Sequence, residues 1–83
     1  MLKQSKPFFL FYWLDSASHI TIKLYNVALE PVAVIEEEKD KGWQTTMWNT
    51  SYVAPGIYIY RIEAVSRDGR KKAFPVKKIA IIK

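Results

Sequence analysis

The sequence predicts an all-β fold, a sandwich of six or seven short antiparallel strands. Three observations predict it. The chain is 49% hydrophobic, with three Trp, five Tyr and four Phe in 83 residues, and strand-forming residues dominate that apolar share. Turn signals such as Pro55-Gly56 and Asp68-Gly69 punctuate it at short intervals. Residues His19–Asn26 alternate, with Ile20, Ile22 and Leu24 on one face and Thr21, Lys23 and Tyr25 on the other. No segment sustains a helical period, so a single turn within Glu36–Lys41 is the most helix expected.

Taken in order, the apolar run Phe8–Leu14 reads as a first strand. Its position behind Lys3 and Lys6 invites comparison with a secretory leader, but seven aromatic-rich residues are short for one. Asp15–Ser18 is a polar turn before the alternating strand. Asn26–Pro31 turns into a strand at Val32–Glu36, with Val32 and Val34 facing inward. Glu36–Gly42 reads as a charged loop in which Gly42 takes a positive φ. Trp43–Trp48 is the next strand, and a loop closed by Pro55-Gly56 leads to the longest one, Ile57–Ser66. An Asp-Gly hairpin turn then opens a last strand, Lys71–Ile82. Pro75 inside it cannot donate to a ladder, so the chain there lies on an edge or changes sheets.

The length bounds the chain to one domain, residues 1–83, with a modest core. Cysteine is absent, which excludes disulfides and thiolate metal sites. Residues 1–41 hold five Lys against six acids, whereas residues 42–83 hold eight Lys/Arg against two acids. A basic half can serve a polyanion, but lysines guarding an edge strand explain Lys71, Lys72, Lys77 and Lys78 more simply, so nucleic acid is not expected. His19 is the only histidine, and its neighbours Asp15, Ser16 and Ser18 sit in one turn, unsuited to a nucleophile–base–orienter geometry. Glu36, Glu37, Glu38 and Asp40 lack the spacing of a calcium loop. These readings give no catalytic residue, no cofactor, no metal and no enzyme. No apolar run approaches the length of a membrane-spanning helix.

The segments "ITIKLYNVALEPVAVI" and "GWQTTMWNTSYVAPGIYIYRIEA…KKIAIIK" resemble the FlgD-type immunoglobulin-like domains. That family includes the second domain of the flagellar hook-capping protein and the C-terminal sorting domains of type IX secretion cargo. The likeness is most specific at Gly42…Trp48 and at Ala54-Pro55-Gly56-Ile57-Tyr58, and spans about Phe8 to Lys83. It implies an immunoglobulin-like or fibronectin-III-like sandwich, a bacterial cell-surface, periplasmic or secreted setting, and a structural or assembly role. By the same resemblance, the closing KKIAIIK is a segment that a secretion machine could read. One departure stands out: Leu29 occupies a turn position where the family carries Gly. The turn must avoid φ > 0 there or bear strain.

Parity within the strands assigns two kinds of residue. Trp48 and Tyr58 are the expected core anchors, packed with Ile20, Ile22 and Leu24. Trp43 and Met47 lie opposite Trp48 on their strand, and Ile57 and Ile59 lie opposite Tyr58 on theirs. A strand that is apolar on both faces implies cover by another protein surface. Trp43, Met47, Ile57 and Ile59 are therefore expected to merge into one docking patch for a parent domain, a partner subunit or a second copy. The competing expectation is a glycan site, with Trp13 or Trp43 stacking alongside Tyr25 or Tyr52.

Overall fold

The computed structural model describes residues 7–82. They form seven strands: β1 Phe8–Leu14, β2 Ser18–Asn26, β3 Pro31–Lys39, β4 Gly42–Trp48, β5 Gly56–Ser66, β6 Lys71–Ala73 and β7 Lys77–Ile81. All pairings are antiparallel. β1 and β4 make a two-stranded sheet, and β3-β2-β5-β6 make the other, with β7 also paired to β5. The fold is a small all-β sandwich, with no helix among the described residues.

The core forms where the inner faces of the two sheets meet. β2 supplies Ile20, Ile22 and Leu24, all 0% exposed, and β5 supplies Tyr58, Tyr60, Ile62 and Ala64. Leu10, Tyr12 and Leu14 of β1 and Trp48 of β4 close it from the other side. The Trp48 and Tyr58 rings meet edge to face with centroids 5.5 Å apart. The Tyr58 hydroxyl donates back to Ala54 O at 2.5 Å, the kind of tyrosine corner that anchors sandwich loops.

Three sequence expectations are corrected here. The acidic run is strand rather than loop. β3 continues to Lys39 because each glutamate finds a partner across the pleat. Glu36 and Glu38 flank His19 on the outer face, and Glu37 turns inward to Thr46. The loop shrinks to Asp40–Lys41, and Gly42 carries the expected positive φ of 110°.

Val34 faces outward, not inward, and is 58% exposed. Val32 packs on the core as expected, but a bulge opposite Leu24/Tyr25 inserts one residue and resets the alternation, so Ala33 and Ile35 pack there in place of Val34. The last strand is broken around Pro75 into β6 and β7. Both pieces stay on the edge of β5, so the chain does not change sheets.

Leu29 adopts φ 63°, the strained alternative. The turn is held by Asn26, whose Oδ1 accepts from Ala28 N and Glu30 N, both at 3.0 Å. Leu29 is 66% exposed, so its side chain gains little there that would offset a left-handed backbone costing about 1 kcal/mol.

Candidate functional site: the outer face and open edge of the two-stranded sheet

Alternation along β1 sends Leu10, Tyr12 and Leu14 inward and Phe9, Phe11 and Trp13 outward. On β4 it sends Thr46 and Trp48 inward and Trp43, Thr45 and Met47 outward. The register then places Phe9 opposite Met47, Phe11 opposite Thr45 and Trp13 opposite Trp43. The outer face is thus five apolar side chains around Thr45, without a charge. Phe11 is 68% exposed, Trp43 74%, and Phe9, Trp13 and Met47 between 42% and 54%. At about 150–250 Å² per aromatic side chain, the exposed area is on the order of 600 Å², the upper end for a lone soluble domain.

The outer face of the larger sheet differs in kind. His19, Thr21 and Lys23 of β2 lie between Glu38, Glu36 and Val34 of β3 and Val65, Glu63 and Arg61 of β5. Lys23 pairs with Glu63 at 3.5 Å. His19 Nε2 lies 3.0 Å from Glu36 and Nδ1 lies 2.7 Å from Glu38. Hydrogen bonds to Glu36 and then Glu38 hold its pKa above the ordinary 6.5. Because the folded value is raised, the stabilisation is complete below pH 6.5 and fades as pH rises through the folded pKa. In an NMR titration, the His19 ring protons should shift with a midpoint above 6.5. The Glu36→Gln/Glu38→Gln double variant should bring that midpoint down. A wild-type midpoint at or below 6.5 would show that these pairs do not persist in water.

Of the residues expected to form one docking patch, the structure brings two together and separates the other two. Trp43 and Met47 belong to the aromatic face just described. Ile57 and Ile59 are on β5 in the other sheet, facing away from the shared core, so the four point to opposite sides of the sandwich. Parity within a strand is legible from sequence, but the sheet a strand joins is not. Phe9, Phe11 and Trp13 join this face although the sequence marks none of them for a docking patch and offers Trp13 only as a glycan-stacking ring; their signal for it is an uninterrupted apolar run.

The edges of the two sheets are treated unequally. In the larger sheet β3 carries Pro31, a bulge and Glu36–Lys39, and the opposite edge carries Lys71, Lys72, Pro75, Lys77 and Lys78. Charges, prolines and bulges are the usual means of blocking strand addition. β1 has none of these over its seven residues and pairs with β4 in unbroken register.

Its position is fixed from both flanks. β4 lies on the β3 side, where Lys39 Nζ donates to Thr45 O at 2.9 Å. β1 lies on the β6–β7 side, where Tyr12 meets the Phe74 ring edge-on at 6.2 Å and Asp15 reaches Lys72 at 3.7 Å. The edge of β1 that no described strand pairs therefore opens over the β6–β7 connection. A groove of about 260 Å³ runs there, lined by Phe11, Tyr12, Trp13, Tyr60, Phe74 and Lys77 among others.

A second hollow, about 350 Å³, lies at the opposite end of chemical character. It is polar, lined by Ser18, His19, Glu38 and Arg67 among others, with His19 already engaged by carboxylates. Among the described residues, no group of three or more His, Asp or Glu side chains is arranged to hold a metal ion. Trp13 and Trp43, 5.5 Å apart, are inclined at 70° and do not present the parallel rings of a sugar platform. Tyr25 is in the other sheet, and Tyr52 is held through its hydroxyl by Trp48 Nε1 at 2.9 Å. Comparison with protein-family models, with curated proteins and with solved structures returns no match.

Proposed function

We propose that this chain is a non-catalytic docking module that joins a larger assembly through the outer face of its two-stranded sheet. One observation carries the reading: the outer face of β1 and β4 sets Phe9, Phe11, Trp13, Trp43 and Met47 around Thr45 with no charge, while the other sheet wears charge outside. Covering about 600 Å² of apolar surface would contribute on the order of 15 kcal/mol, set against association costs of roughly 4–15 kcal/mol. The same reading takes up the resemblance to FlgD-type domains and, with it, a cell-surface, periplasmic or secreted bacterial setting.

The test is a photoreactive amino acid at Thr45, in the centre of the face, compared with one at Val34 on the opposite sheet. Illumination in the source cells should yield a protein adduct from position 45 and none from position 34. Equal labelling at both sites, or none at 45, would remove the docking reading.

A further inference from the structure

We infer that the open edge of β1 accepts an extended strand of a partner protein, acidic on the side turned to the groove and its lysines and apolar on the side that continues the outer aromatic face. This rests on the docking reading and names the partner's chemistry. A two-stranded sheet lies across a broader one, so among the described residues the β6–β7 side has no strand above it. The vacancy is not featureless. Its wall is the unguarded edge of β1, whose backbone groups can pair with an added strand. Its floor is Tyr60, Ile62, Phe74 and Pro75. At about 260 Å³ the groove is below the usual size of small-molecule sites and suits side chains of an inserted strand.

The lysines give the partner its sign. Lys77 stands opposite Tyr60, and Lys72 opposite Ala64, across the ladder. Tyr60 and Ala64 face the core, so both lysines project toward the vacant position rather than to the outside of the sheet. Lys72 is partly engaged by Asp15 and lies over the Phe74 ring at 5.0 Å. Lys77 is exposed at the groove. A second copy pairing β1 to β1 would bring its own inward lysines to the same slot, whereas a strand bearing carboxylates would neutralise them.

The probe is a fluorescein-labelled peptide alternating valine and glutamate, compared with one alternating valine and lysine, titrated by the intact chain and read by anisotropy. The valine–glutamate peptide should bind at least about tenfold more tightly, and Lys77→Glu should narrow that ratio several-fold. Hydrogen exchange should show alternate amides of β1 gaining protection on binding, with β3 and β7 unchanged. Absence of binding, equal binding of both peptides, or protection on β3 or β7 instead would each overturn the inference. A concentration-dependent doubling of mass with β1 amides protected in the absence of peptide would also overturn it, assigning the edge to a second copy. Failure here with position 45 still cross-linking leaves the docking reading standing.

Discussion

Trp48→Ala should abolish cooperative unfolding. The indole is 2% exposed, packs edge-on against Tyr58, and donates its N–H to Tyr52. Removing it empties the middle of the sandwich and costs about 3–5 kcal/mol. A chain of this length has a total stability of roughly 4–12 kcal/mol, so the loss takes much of it. Thermal melts followed by near-ultraviolet circular dichroism should pass from a sigmoid to a shallow slope. Trp48→Phe should retain a transition at lower temperature, because a ring still fills most of the space. A normal melt for the alanine variant would mean that the sheets do not meet around Trp48.

Thr46→Val should cost about 1–2 kcal/mol, more than its change of shape warrants. Thr46 is 1% exposed, and its hydroxyl lies 2.7 Å from both the Tyr12 hydroxyl and the Glu37 carboxylate. That oxygen ties β1, β4 and β3 together, and so joins the two sheets through one polar chain. Valine leaves the buried Tyr12 hydroxyl without its partner, whereas Glu37, 38% exposed, keeps Lys39 at 3.5 Å, so the penalty comes mainly from the hydroxyl left behind. Tyr12→Phe should cost less, about 1 kcal/mol. The double variant should fall short of the sum of the two in urea unfolding, since both act on one chain of bonds. Strict additivity would show that the hydroxyl of Thr46 serves Glu37 alone.

The parts of this fold legible in the sequence are those whose cause is local. Ile20, Ile22 and Leu24 alternate with polar residues, and β2 follows directly. Gly42 and the Asp68-Gly69 pair mark turns because their backbones need conformations other residues resist; φ at Gly69 is 87°. The acidic half of β3 was opaque because glutamate has low strand propensity, and what holds it there lies elsewhere in sequence. His19 is 17 and 19 residues from its two carboxylates, and Thr46 is nine from Glu37. Val34 was misplaced because one bulged residue inverts every parity beyond it. The aromatic face was half visible: Trp43 and Met47 showed by opposition to Trp48. Phe9, Phe11 and Trp13 sit in a run apolar at every position, where alternation carries no information. Lys72 and Lys77 read as edge guards, and only the ladder to Ala64 and Tyr60 reveals which way they face.

The pairing of β1 with β4 also sets an order of events in time. Tyr12 meets Thr46, 34 positions further along the chain, and β2 and β3 lie between the two strands. The β2–β3 and β5–β6 hairpins close over short loops and can form early, but β1 must wait. On a ribosome adding roughly 5–20 residues per second, several seconds separate the emergence of β1 from that of its partner. For that interval the nascent chain trails seven apolar residues with neither pairing nor charge to shield them. Those seconds, rather than the finished fold, are when this protein most needs a holding chaperone, and a charge introduced at exposed Phe11 should raise its soluble yield.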